Sequence, residues 1–115
     1  MPSFRVGMRE YRFEHQPAAP AGRVVFEVAN RGRLPHEMTL VRLPPDYPAT
    51  IAEQLRAPTR RAAATIAIVF DQRPGERRVF AADLLPGRYG FICFMKDADG
   101  QPHSLKGMTS EFQAG

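Results

Sequence analysis

The chain has 115 residues, a hydrophobic fraction of 43%, and a net charge of +4 from 16 Lys+Arg against 12 Asp+Glu. That length suits a single domain with one core, and no apolar run approaches the roughly 18–20 residues that cross a bilayer. The basic residues are scattered, with only Arg60-Arg61 and Arg77-Arg78 adjacent and no nucleic-acid motif beside them, so no nucleic-acid partner is expected.

The N-terminus, MPSFRVGMREYRF, lacks the apolar region of a signal peptide. Phe4–Met8 and Tyr11–Phe13 can add one or two short strands. Arg23–Val28 is β-branched and aromatic, and it is bounded by Pro20-Ala21-Gly22 and Asn30-Arg31-Gly32, which reads as a strand. His36–Leu43 alternates again, and the two runs read as a hairpin or as paired strands across a short loop. His15, in FEHQP, reads as a surface residue of a turn.

Asp46–Leu55 breaks this pattern. Ile51, Ala52 and Leu55 fall at helical spacing, and Thr50-Ile51-Ala52-Glu53 fits a capping box, so one short helix is expected before Pro58. Thr65–Phe70 is a strand candidate, followed by the Arg73-Pro74-Gly75 turn and a further strand from Arg77 to Ala81. Pro86-Gly87 then leads into Arg88–Phe94, whose alternation sets Tyr89, Phe91 and Cys93 on one face and Gly90, Ile92 and Phe94 on the other. Gly107–Phe112 is the last strand. Seven or eight short strands, punctuated by 11 prolines and 9 glycines, describe an all-β sandwich or barrel of antiparallel type.

Cys93 is the only cysteine, so it forms no internal disulfide. It is a buried thiol, a nucleophile or a metal ligand. Cys93 closes one strand, His103 lies in the following loop, Met108 opens the next strand, and His36 begins a strand elsewhere. The four can converge at one end of a sandwich. A Cys with two His and a long axial Met is the donor set of a blue-copper electron-transfer site. Pro35 and Pro102 precede the two histidines and restrict their loops. Asp97 and Asp99 read as a turn, because the further oxygens of a calcium loop are missing. The alternation points Glu37 away from His36.

Three blocks carry a resemblance: AGRVVFEVANRGRLPHEMTL, LLPGRYGFICF and PHSLKGM. Together they resemble the cupredoxins, the small blue copper proteins, from about Phe13 to Phe112. The resemblance implies a Greek-key β-sandwich with one short helix in a connection, and one type 1 copper per chain held by His36, Cys93, His103 and Met108. It also implies an electron-transfer protein outside the cytoplasm, its leader removed, with one ring edge of His103 near solvent as the electron port. Leu34, Pro35, Met95, Pro102 and Leu105 would surround that port. Arg31 and Arg33 would steer an acidic redox partner to it, and the chain is expected to be a monomer.

Many family members place two to four residues between the Cys and the second His. Here nine intervene, FMKDADGQP, which can form a small hairpin around Asp99-Gly100. An enzyme is not expected: three histidines cannot build a trinuclear copper centre, and one cysteine cannot build a dinuclear one. A copper carrier or sensor would use the same donors, and a metal-free immunoglobulin-like interaction domain would leave them coincidental.

Overall fold

A computed structural model describes all 115 residues, Met1–Gly115. Nine strands form two sheets. The first sheet contains β1 (Ser3–Arg9), β2 (Arg12–Glu14), β4 (Gly22–Asn30) and β7 (Arg77–Leu84), in the order β2-β1-β4-β7. The second contains β3 (Ala18–Ala19), β5 (His36–Arg42), β6 (Ala64–Gln72), β8 (Gly87–Ile92) and β9 (Thr109–Ala114), in the order β3-β9-β8-β5-β6. This is the expected all-β sandwich, with two differences in pairing. β4 and β5 are not a hairpin: each lies in a different sheet, and residues 31–35 cross between them. The sandwich is also not wholly antiparallel, because β1 runs parallel to β4 and β3 parallel to β9. Alternation reports which face of a strand is buried; it carries no information on which neighbour supplies the hydrogen bonds.

The inward faces build one core from Phe4, Phe26, Leu40, Phe91 and Phe112 with their neighbours. Phe91 is its centre, with Phe4, Phe13, His15, Phe26 and Phe112 rings all within 6.3 Å of it between centroids. His15 corrects the surface reading. It is half-buried against Phe4, Phe91 and Phe112, and its Nε2 lies 2.7 Å from Ser110 Oγ. The residues either side of it are exposed, which is why its surroundings read as a turn.

The helix α1 (Ile51–Arg56) has the expected capping box, with Thr50 accepting from the Glu53 N–H and Glu53 reaching back to Thr50. It seats Ile51 against the outer face of the second sheet, beside Val41, Leu43, Tyr47 and Ile92. A Cβ at Gly90 would lie 2.1 Å from Ile51 Cδ1 and 2.8 Å from the Ser110 carbonyl oxygen. Glycine is therefore what allows helix and sheet to approach so closely.

Pairing fixes which loops share an end. β5 is antiparallel to β8 with Thr39 opposite Ile92, so the start of β5 lies beside the end of β8. β1 is parallel to β4 with Met8 opposite Asn30, so the β1–β2 turn lies beside the 31–35 crossover. Residues 10–11, 31–36 and 93–108 are thereby gathered at one end of the sandwich.

Candidate metal centre

His36 is the first residue of β5, Cys93 directly follows β8, and His103 opens a 3-10 turn, His103–Lys106. His36 Nδ1 lies 3.1 Å from His103 Nδ1, and Cys93 Sγ lies 3.6 Å from His103 Nδ1. The three donor atoms fall within 4.8 Å of one another. His36 and Cys93 are 0% exposed and His103 is 2% exposed.

Backbone bonds hold this arrangement. The Met95 carbonyl accepts from the His103 N–H at 2.7 Å, and the Met108 carbonyl accepts from the Cys93 N–H at 3.2 Å. The Glu37 N–H points at the Cys93 sulfur, 3.5 Å away. Asn30 pins the crossover to β6: its side-chain amide donates to the Leu34 and Gln72 carbonyls, and its oxygen accepts from the Gly32 N–H. The nine-residue insertion folds back as the sequence suggests. Lys96 bridges to Pro102, the Asp97 N–H bonds to the Gln101 carbonyl, and Gly100 takes a left-handed φ of 81°. Met108 is fully buried, with its backbone bonded to both Cys93 and His103.

Both imidazoles are backed by carboxylates. His36 Nε2 lies 3.0 Å from Glu10 Oε2, and His103 Nε2 lies 2.7 Å from Asp97 Oδ1. Asp97 also accepts from Tyr11 Oη at 2.8 Å and from Lys106 Nζ at 2.6 Å. Lys106 first, then Tyr11 and His103, hold the Asp97 carboxyl well below the usual carboxylate range. Burial works to raise Glu10, but its bonds to His36 and to the Arg33 and Leu34 amides win, and its carboxyl stays below the ordinary value. Glu10, Tyr11 and Asp97 are contributions the sequence did not reveal.

The covered His103 edge is a correction. The Tyr11 ring meets the His103 ring edge-on at 5.4 Å, and Asp97 occupies its Nε2. The ring does not reach solvent, because the long loop carries Asp97 back over it.

The donor set fits a metal ion on geometry as well as residue type. An ionised carboxylate only accepts, so each Nε2 carries a proton and each Nδ1 is the ring nitrogen left facing inward. The two Nδ1 atoms then face each other at 3.1 Å, with Cys93 Sγ 3.6 Å from that of His103. Two nitrogens each about 2.0 Å from one ion lie roughly 3.1–3.5 Å apart at bond angles of about 100–120°. Burial pushes the Cys93 thiol up to about 11 and pushes His36 down, with His103 adding to the second effect. Without a cation the pocket is thus built from a neutral thiol and a neutral His36. Thiolate with two imidazoles suits copper.

No family model matches the sequence, and no curated protein does. Solved structures do match. A dithionite-reduced auracyanin from the photosynthetic bacterium Roseiflexus castenholzii is 18% identical, with a TM-score of 0.68 over 100% of this chain and 98% of that one. Auracyanin A, a "blue" copper protein from Chloroflexus aurantiacus, is 19% identical, with a TM-score of 0.63 over 98% of each chain. A rusticyanin from Thiobacillus ferrooxidans is 16% identical, with a TM-score of 0.56 over 100% of this chain and 79% of that one. All three are cupredoxins, and the fold of this chain is the cupredoxin fold.

Proposed function

We propose that the chain is an electron-transfer protein that binds one copper ion in a mononuclear type 1 site. His36, Cys93 and His103 would hold it, and Met108, buried at the same end, would be the fourth, weaker donor. The observation that carries this reading is the meeting of His36 Nδ1, Cys93 Sγ and His103 Nδ1 within 4.8 Å at one end of a cupredoxin sandwich. When bound, copper supplies one-electron exchange between Cu(I) and Cu(II).

The chain's own residues hold the donors still. Cys93 would supply its sulfur as thiolate, and the Glu37 amide directs an N–H at that sulfur. The donors come from separate segments packed at one end of the sandwich, the start of β5, the residue after β8 and the 3-10 turn, so their spacing changes little with the charge at the centre. A carrier would use the same donors. Their burial, with Met108 also 0% exposed, favours electron transfer, because an acceptor protein would have to reach the metal itself.

The partner is a redox protein with an acidic surface, met outside the cytoplasm. The motivation is the net charge of +4 and the exposed side chains of Arg31 and Arg33 on the crossover that leads to His36. No helix is long and apolar enough to cross a membrane.

The test is copper uptake. The protein should take up one equivalent of Cu(II) with an intense visible thiolate-to-copper band, and Cys93→Ser should lack that band. Uptake without the band, or an unchanged band in Cys93→Ser, would remove the type 1 reading.

A further inference from the structure

We propose that the two-residue turn Glu10-Tyr11 is a working part of the metal centre: it sets both histidines with Nδ1 inward and places carboxylate charge behind them, biasing the site toward Cu(II). This rests on the copper reading above, and concerns residues outside the donor set.

The β1–β2 register pairs Met8 with Phe13 and Arg9 with Arg12, leaving Glu10 and Tyr11 as the turn. Tyr11 has φ 65°, the only non-glycine residue with positive φ. Glycine, asparagine or aspartate would adopt that backbone more readily. Tyrosine there puts its hydroxyl 2.8 Å from Asp97 Oδ2 and its ring edge-on to His103. The preceding residue reaches the other ligand, with Glu10 Oε2 3.0 Å from His36 Nε2 and Oε1 accepting from the Arg33 N–H. Gly32 leaves room for this contact, since a Cβ there would lie 2.0 Å from Glu10 Oε2 and 3.0 Å from His36 Nε2. One turn thus backs both imidazoles, Glu10 directly and Tyr11 through Asp97.

The two carboxylates are unequal. Asp97 shares its charge with the Lys106 ammonium, and Lys106 also bonds Asp99. Glu10 forms no ion pair with Lys or Arg; its single ion-pair partner is His36. A carboxylate behind a ligand imidazole fixes its tautomer and strengthens it as a donor. Its negative charge also favours the more highly charged metal state. Glu10, uncompensated, should weigh more than Asp97. Both act as positioning residues, because neither touches the metal position.

The experiment compares the wild type with Glu10→Gln and Asp97→Asn, which keep size, remove charge and leave one oxygen to accept from the imidazole. Voltammetry of the copper-loaded proteins at one pH should show Glu10→Gln shifting the Cu(I):Cu(II) ratio at least tenfold toward Cu(I). That is about 59 mV upward for a one-electron couple. Asp97→Asn should shift it the same way by less. Copper retained with both potentials unchanged would overturn the proposal. A second measurement does not need the metal. Imidazole ¹⁵N shifts of the metal-free protein should show His36 and His103 each protonated at Nε2, and Nδ1-protonated rings would overturn it. Failure to take up copper sinks the proposed function, whereas the tautomers still decide the role of the turn.

Discussion

At the scale of single residues, Cys93, His36, His103 and Met108 stood out in the sequence because soft donors are rare in this chain and each falls next to a strand signal. The carboxylates behind the histidines did not stand out. Glu10 is 26 residues from His36, and Tyr11 is 86 from Asp97, so only the parallel pairing of β1 with β4 and the folding of the long loop bring them together. Asp97 was visible as a turn residue, and a turn it is, but its side chain also holds His103. Substitutions here separate the roles. Met108→Leu should retain copper and raise the reduction potential, by about 59 mV for a tenfold change in the one-electron equilibrium, since losing a donor favours Cu(I). Met108→Gln should lower it through a harder oxygen. If voltammetry moves for neither, Met108 is a core residue only. Gly32→Ala should push the flexible Glu10 carboxylate off His36 and crowd the His36 ring edge itself. Loss of such a supporting bond typically costs about 10–100-fold in metal affinity, and an unchanged affinity in a competition titration would show that Glu10 does not support His36.

Secondary-structure elements were legible for different reasons. β4 was readable because its buried face alternates, β5 and β8 as largely buried apolar runs bounded by turns, β6 from its β-branched run although Ile66, Ile68 and Phe70 are exposed, and α1 from its capping box. Partners were not readable: the β4–β5 crossover looks like a hairpin loop because it is five residues long, as hairpin loops often are. β3 has two residues, too few for any pattern. Central β8 makes a sharp prediction. Phe91 is fully buried among aromatic rings, so Phe91→Ala should cost about 3–5 kcal/mol in urea unfolding, against a small loss for Phe94→Ala, where the side chain is exposed. The β9 contact of His15 makes another. Burial pushes His15 below its ordinary value of 6.5, against a bond to the Gln16 carbonyl. The unfolded chain therefore binds the proton more tightly. Stability from this group is fully present above about pH 6.5 and is lost as pH falls through the depressed folded value. His36 is shifted the same way in the metal-free protein, so the contrast must isolate His15. Apo-protein urea midpoints should fall between pH 7.5 and 5, and His15→Gln should fall less. An equal fall in both would remove His15 as a cause.

Across the whole molecule, the sandwich gathers three loops at one end, and the chemistry, the carboxylate cap and the basic crossover all lie there. Fold class was readable at this scale because one sandwich accommodates many short alternating strands. The covering of His103 was not, because it depends on where a nine-residue insertion lies. Arg31 and Arg33 hold the crossover through their backbones, by the bond of the Arg31 N–H to the Met8 carbonyl and of the Arg33 N–H to Glu10. Reversing both charges should therefore leave the site intact. Electron exchange with an acidic redox protein should slow as ionic strength rises, because exposed charges are screened over about 8 Å at physiological salt. Arg31→Glu with Arg33→Glu should slow association at low salt by roughly tenfold or more without changing the visible spectrum. A rate independent of salt in stopped flow would make this basic rim a solvated face only. The central claim is that His36, Cys93 and His103 form one copper site, and the most direct measurement is a visible-absorption titration of the metal-free protein with Cu(II). An intense thiolate-to-copper band that rises linearly and stops at one equivalent is the expected result; a titration in which no such band develops would contradict it.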